Sequence, residues 1–504
     1  MICTDLQPLQ IVENKGFINF VETLNSDYVL PNRKTLSEKY LPELYQAHCS
    51  SLCNMLDTVK DIAITTDMWI SDSNKCYLTV TAHFIFNSKI YARTLTTIEV
   101  KDAHSSAVIA NVLQAALEKW RILDKVVTIV TDNASNMKNA ISNFLNKRNH
   151  YCVAHTLNLV VMDSRKTNTP FTPLLSKYHN LVKFFKQSSK ADHKLTQIQE
   201  QINAPIVKLK QDVITGWKSI FLMTERLLQT KIPISAALST INSAPENLSA
   251  NEWEQIQDCV NILNPIEQMT NILSGEKYPS LSSAIPLVRN VQISLMRKVP
   301  LTEMGKELKN TLLNQISKRL GVLESNKTAA KSTLLDPRYK KTAFGLETNA
   351  ERAYQWVLEE LGTVINEKND TGLEISTQCD EIYNMPTPSG SVKIDSEDLW
   401  EHFDKKVSKR LTTQTPVSSA TLIMKQYIDL PNLNRKLDPI LYWEERKKVM
   451  PELYNMAMKY LCIPATSVPA ERVFSKAALV CNQRRNRLDP KKIDEIIFLN
   501  SCDF

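Results

Sequence analysis

Ile62-Ala63-Ile64-Thr65-Thr66-Asp67-Met68-Trp69 begins as a short, β-branched, mostly apolar run and then meets an acid. Such a run between polar breaks reads as a strand. Two more follow it, Tyr77 to Phe86 (YLTVTAHFIF) and Tyr91 to Val100 (YARTLTTIEV), separated by Ser71 to Asn74 and Asn87-Ser88. Three such runs in succession predict an antiparallel meander. A helical period covers Ser105 to Trp120. Val126 to Val130 is then too apolar for a half-exposed strand and predicts a central one. Helical sequence continues to about Lys147, a short fifth run spans His150 to Val153, and a helix begins near His155. The order βββ-α-β-α-β-α predicts a mixed five-stranded sheet with helices on both faces and the first strand beside the fourth.

Outside this region the sequence is helical. Residues 1–60 read as Phe17 to Leu24 and Thr35 to Leu56, with Pro31 and Pro42 as punctuation. From about 173 to 365 nearly everything is helical, including Ser219 to Lys231, Glu252 to Leu273 and Glu307 to Leu323, with Pro279, Pro286 and Pro300 between pieces. Residues 367–398 hold eight acids against Lys368 and Lys393, and include Pro386-Thr387-Pro388-Ser389-Gly390-Ser391. They predict a flexible acidic linker. A last helical unit runs from about 438 to 502.

Composition agrees with helices and a packed core. The chain has 504 residues, 43% hydrophobic and 23% charged, with only 9 glycines. Whole-chain disorder is excluded, and few glycines argue against turn-rich β architectures. No apolar window is long enough to span a membrane, and the N-terminus lacks a secretory pattern. Ten singly scattered cysteines predict reduced thiols of a cytosolic or nuclear protein and no structural zinc site. A net charge of +7 permits a polyanionic partner without requiring one.

Several residues could carry chemistry. Asp67 follows the first run and Asp132 the fourth (Ile129-Val130-Thr131-Asp132-Asn133), so neighbouring strands would bring both acids to one end of the sheet. Two close carboxylates suit Mg²⁺ or Mn²⁺ between them. An Asp at a strand end is more often a cap or turn former, and spacing alone favours that reading. Cys152 and His155 make too small a set for a tetrahedral metal site, so a buried thiol and a packed histidine are expected. Residues 161–210 carry nine Lys/Arg against three acids; Lys183, Lys186 and Lys190 share a helical face beside inward Phe184-Phe185. That face can neutralise phosphates or be merely solvated. Arg484-Arg485-Asn486-Arg487 is a second basic cluster. Near the C-terminus Thr466 or Ser467 can cap a helix with Pro469 in its first turn, Glu471 favouring the dipole, and Val473, Phe474, Ala477 and Val480 as an apolar stripe.

Four strings in this order, ITTDMW, VTDNASNM, CVAHTLNLVV and the stretch from Leu441-Tyr442-Trp443 through Leu499, resemble the hAT superfamily of DNA transposases and the zinc finger BED domain-containing proteins related to them. The resemblance covers most of the chain. It implies a ribonuclease-H-like core carrying a D-D-E metal triad, matching Asp67, Asp132 and Glu471. It also implies a large all-helical insertion that splits this core, and a C-terminal dimerisation region. On that basis the chain divides into 1–60 (helical segment), 61–218 (ribonuclease-H-like core), 219–366 (insertion), 367–398 (acidic linker) and 399–504 (dimerisation region completing the core). Cys152 and His155 match the family's Cys-His motif, as second-shell or structural residues. The family's Arg-Trp pair, which engages flanking DNA, falls at Gly216-Trp217: Trp217 is kept for stacking on an unpaired base and the Arg is missing. Met1 falls about where a BED finger would end, so the sequence-specific reader is expected to be missing or to lie on an exon this chain lacks.

The implied partners are DNA and a second copy of the chain, in the nucleus, with Mg²⁺ or Mn²⁺ if catalytic, no small-molecule cofactor and no membrane. Two readings remain open: a metal-dependent DNA cleavage and strand-transfer enzyme, and a domesticated, non-catalytic regulator that uses the same fold to dimerise.

Overall fold

The structure, a computed structural model, describes residues 1–71, 74–101, 104–168, 171–212, 216–242, 244–370, 403, 406, 416–481 and 488–502. The expected acidic linker lies outside the described residues from 371 on; its first four residues instead continue a helix ending at Asp370. Arg484 to Arg487 also lie outside them.

The N-terminal segment is helical, with α1 (Lys15–Leu24) and α2 (Leu41–Thr58). The strands are β1 (Ile62–Ile70), β2 (Cys76–Phe86), β3 (Lys89–Glu99), β4 (Val126–Thr131) and β5 (Asn149–Tyr151), in the order β3-β2-β1-β4-β5. β1 pairs antiparallel with β2 and parallel with β4; β2 pairs antiparallel with β3 and β4 parallel with β5. The sheet is mixed, and the first strand does lie beside the fourth. β1 is longer than its apolar run: pairing continues through Asp67↔Thr79 to Ile70↔Cys76, so Asp67 sits inside the strand rather than after it. Pairing with β2 sets where β1 ends, and hydropathy does not.

Side chains directly opposite one another on antiparallel strands share a face. The face with Ala63, Thr65, Asp67 and Trp69 therefore also carries His83, Thr81, Thr79 and Tyr77. Thr65 Oγ1 lies 2.9 Å from His83 Nε2, and Trp69 Nε1 donates to Thr79 Oγ1 at 3.1 Å, so these four buried polar groups are paired, whereas the Thr81 hydroxyl is buried without a partner among the described residues. Burial without an acidic partner pushes His83 down to about 3, leaving a neutral imidazole. The opposite face is mostly apolar, with Ile62, Ile64, Leu78, Val80, Ala82 and Phe84 all buried, and its buried Thr66 hydroxyl donates to Thr79 O at 2.8 Å.

Between β3 and β5 come α3 (Ser106–Lys119), capped by Ser105, and the short α4 (Ser135–Asn139). α5 (Val153–Thr167) follows β5 at once; its N-cap is Cys152, so the helix begins two residues before His155. Then come α6 (Phe171–Gln187), α7 (Ser189–Gln201), α8 (Trp217–Gln229) and α9 (Lys231–Thr240). α10 (Ala250–Leu273) starts at a reciprocal Ser249–Glu252 capping box. α11 (Ala284–Arg297) takes Pro286 into its first turn, where the missing N–H costs nothing, so Pro286 does not separate helices. α12 (Glu303–Leu320), α13 (Lys327–Leu335), α14 (Glu347–Asp370) and α15 (Pro416–Asp429) continue the helical body. α16 (Pro439–Arg446), α17 (Pro451–Leu461), α18 (Val468–Val480) and α19 (Pro490–Asn500) complete the chain.

Two apolar cores result. One joins α5 to α17 with Ala63 and Val130 of the sheet. The other joins α2, the sheet, α3, α18 and α19. The stripe expected on α18 is formed and turned inward, with Ala477 and Val480 buried. On α19, Ile493, Ile496, Ile497 and Phe498 are buried too, and Asp494 accepts from Thr97 N at 2.7 Å and Thr96 Oγ1 at 3.0 Å on β3. These apolar C-terminal faces are therefore packed within the chain. Among the described residues no helix is long and apolar enough to cross a membrane.

Candidate functional site

Thr65 pairs with Val130 across β1 and β4, so two residues further on Asp67 and Asp132 emerge side by side at one end of the sheet. Each commits one carboxylate oxygen to its own backbone: Asp67 Oδ1 accepts from Met68 N at 2.9 Å and Asp132 Oδ1 from Ala134 N at 3.1 Å. The second bond is an Asx-type turn. The turn-former reading of Asp132 therefore holds for one oxygen and leaves Oδ2 without a protein partner among the described residues.

Glu471 approaches the two acids from α18 and lines a separate opening. Trp69 stacks on Tyr77 with centroids 4.7 Å apart, and Phe474 packs on Trp69 at 5.1 Å. Trp69 lies two residues from Asp67 on one strand face, and Phe474 lies three residues from Glu471 on one helix face. The aromatic contact therefore carries the two acids toward each other. Their fields overlap: burial first, then Glu471 and Asp132, push Asp67 up to about 7. Glu471 is also raised, by desolvation, with His155 opposing and Asp132 adding to the rise. Its side chain nevertheless lies at the surface, so surrounding protein rather than full enclosure causes the desolvation.

The donors are hard oxygens that repel one another, and no basic side chain among the described residues forms an ion pair with Asp67 or Asp132, which fits Mg²⁺ or Mn²⁺. As placed, however, no three His, Cys, Asp or Glu side chains among the described residues stand close enough to hold a metal ion. Two openings flank the acids. One, about 230 Å³, is lined by Asp67, Trp69, His104, Asp132 and Asn136. The other, about 480 Å³, is lined by His155, Asn158, Trp217, Lys218, Glu471 and Arg472. A cavity of about 570 Å³ among the N-terminal helices is lined mostly by apolar side chains and brings no chemical group to the acids.

Other expected residues fall differently. Trp217 lines the larger opening but is 3% exposed, packed in the helical core with its amide donating to Asn158 Oδ1 at 3.1 Å. An exposed stacking platform is not present; the first turn of an amphipathic helix draws the ring inward. Lys183, Lys186 and Lys190 are exposed, yet they do not form one stripe: Ser188 Oγ accepts from Ala191 N, ending α6 and starting α7 between Lys186 and Lys190. Phe185 is buried and Phe184 half-buried. Cys152 is buried as expected, and His155 lies beside Glu471. Ser467 takes the N-cap position of α18, but its side chain makes no capping bond. The sequence places Phe474 in an apolar stripe but does not identify Trp69 as the ring it packs on; the signal lay in the spacings Asp-x-Trp and Glu-x-x-Phe.

A mixed sheet of this order, with acids at one end and a large helical body attached, defines an RNase-like α/β protein. Residues 65–160 match the ZBED1 RNase-like domain and 150–262 the ZBED1 RNase-like helical domain; 424–502 match the hAT family C-terminal dimerisation region. Human zinc finger BED domain-containing protein 4 is 29% identical over 528 aligned positions, covering 99% of this chain and 42% of that protein. Human zinc finger BED domain-containing protein 6 is 25% identical, covering 99% and 54%. A putative AC transposase of Zea mays is 25% identical, covering 97% and 62%. The chain thus carries a hAT C-terminal dimerisation region and ZBED1-like domains, and over nearly its whole length it is similar to BED zinc-finger proteins and to a putative AC transposase. It spans about half the length of the first two relatives.

Proposed function

We propose that this chain is a hAT transposase-like, DNA-associated nuclear protein that self-associates and carries a divalent-metal site of three carboxylates, Asp67, Asp132 and Glu471. The observation that carries this reading is the β1–β4 register, which puts two acids side by side, with a third close enough to perturb Asp67. Mg²⁺ or Mn²⁺, when bound, supplies positive charge against a phosphate and a nucleophile usable at neutral pH. The chain's part is to hold the acids. Asp67 and Asp132 are fixed by the sheet and by their backbone bonds; Glu471, exposed on the first turn of α18, is the arm that rotates to close the set. Lys183, Lys186 and Lys190 would meet DNA phosphates from two adjacent helix ends. Mn²⁺-dependent cutting of hairpin or branched DNA, lost in Asp132→Ala, is the expected result. A folded, Mn²⁺-binding chain that cuts neither substrate would leave the second reading, a domesticated non-catalytic regulator.

Two observations favour that second reading: the buried Trp217, and a glycine where the family's arginine is expected. A Cβ built on Gly216 meets no atom within 4 Å, and its φ of −127° suits any residue. Gly216→Arg is therefore expected to fold normally and to add about one phosphate contact, steepening the salt dependence of DNA binding by about 0.9 in log–log slope. An unchanged slope in a binding titration would show that the opening does not face DNA.

The match to a hAT dimerisation region supports self-association. With α18 and α19 turned inward, the exposed apolar residues of that region are Leu437, Leu441, Val449 and Leu479 among the described residues. Light scattering at micromolar concentration is expected to give twice the 57.4 kDa chain mass. A monomer mass would remove this part of the proposal.

A further inference from the structure

Segments that are distant in the chain are tied together at Cys152. Its amide donates to Thr131 O at 2.7 Å, one residue before Asp132. The next amide, Val153 N, donates to Ala465 O at 2.9 Å. Its sulfur accepts two further N–H groups, from His155 and from Ser467, each at 3.3 Å. Ser467 is 315 residues away in sequence and heads the helix on which Glu471 occupies the first turn. The thiol is fully buried, and burial pushes it up to about 11, so at neutral pH it is an uncharged acceptor, neither nucleophile nor metal ligand. Ser467 Oγ is buried with no strict hydrogen-bond partner, yet it lies near enough to the Glu471 carboxyl to favour its charged form. Ala465 N donates to Ser280 Oγ at 2.9 Å, so the helical body holds the same turn from its other side.

We propose that Cys152 is a positioning residue for Glu471: through the Ser467 amide its sulfur pins the first turn of α18 to the end of β4, and so sets where the third acid stands relative to Asp132. The functional consequence rests on the metal reading above; the mechanical claim does not. Asp132 and Glu471 sit on different elements, and Cys152 bonds directly to both of their neighbourhoods. A hydrophobic residue of similar size would fill the space but accept neither N–H.

The test uses the full chain with Cys152→Ala and Cys152→Ser, read by amide hydrogen exchange and by Mn²⁺ binding in electron paramagnetic resonance titrations. In Cys152→Ala, exchange across 465–471 is expected to rise about tenfold while β1 and β2 stay protected, and Mn²⁺ affinity to fall about tenfold, as loss of roughly 1–1.5 kcal/mol of hydrogen bonding predicts. Cys152→Ser, which keeps an acceptor, should recover most of both. If the alanine variant does not fold, Cys152→Val keeps the bulk and is read in the same way. Unchanged exchange at 465–471, or a serine variant no closer to wild type than the alanine one, would overturn the proposal. A wild type that binds no Mn²⁺ would end the metal reading, and the exchange comparison would still decide the role of Cys152.

Discussion

Asp67→Asn is expected to melt several degrees above the wild type at pH 8 in the absence of divalent ions, and to lose most of the stabilisation that Mn²⁺ gives the wild type. Burial, Glu471 and Asp132 together hold the Asp67 carboxyl at about 7, against 3.8 when free. Between about pH 4 and pH 7 the folded chain keeps a proton that the unfolded chain has released. Stability therefore falls as pH rises through that window and stays at its lower level above it. Taken whole, the displacement amounts to about 4 kcal/mol. Asp67 is only partly enclosed, so screening reduces the expected gain from Asn to roughly 1–3 kcal/mol. Asn still accepts from the Met68 amide, so no backbone bond is lost. Mn²⁺ at a hundred times its dissociation constant would add about 2.7 kcal/mol to the wild type. Thermal melts at pH 5 and pH 8, with and without Mn²⁺, check both halves. A lower melting temperature for the Asn variant at pH 8, or an equal response to Mn²⁺, would make Asp67 a purely structural acid.

Glu360→Ala is expected to cost about 3–5 kcal/mol, because it strands charge. Glu360, on α14, accepts from Lys331 of α13, from Lys459 Nζ at 2.8 Å and from Tyr460 Oη at 2.7 Å, both of α17. Lys331 is nearly buried. Desolvation alone would raise the Glu360 carboxyl, but bonds from Lys331 and Lys459 outweigh it and hold it near about 2, against 4.5 when free. This contribution is complete above about pH 4.5 and is lost as pH falls toward 2. Urea unfolding at pH 7 should show the full loss for Glu360→Ala and less for Glu360→Gln, which keeps an acceptor. Adding Lys331→Met to the alanine variant should recover part of it, since the stranded ammonium is then gone. A cost below about 1 kcal/mol would mean that water reaches these groups freely.

The strands were legible because each run is β-branched, apolar and bounded by polar breaks, and chain order alone placed β1 beside β4. Asp67 and Asp132 followed from that adjacency. The end of β1 was not legible, since pairing with β2 continues after the hydropathy stops. The break between Lys186 and Lys190 was missed although Ser188-Ser189 is an ordinary capping signal; the helical period runs straight through it. Glu471 came only from the resemblance. Nothing local to Pro469-Ala470-Glu471 distinguishes a metal-facing carboxylate from one that favours a helix dipole.

Sequence by itself determined the local elements, the sheet order and the two acids borne by neighbouring strands, because these depend on side-chain period and short connections. Tertiary structure decided that Trp217 turns inward, that the apolar C-terminal helices are satisfied within one chain, and that Glu471 lies near enough to Asp67 and Asp132 for their charges to interact. Those outcomes rest on contacts such as Trp69 with Phe474 and Cys152 with Ser467, between segments hundreds of residues apart, and no local pattern encodes which distant surface a side chain will find.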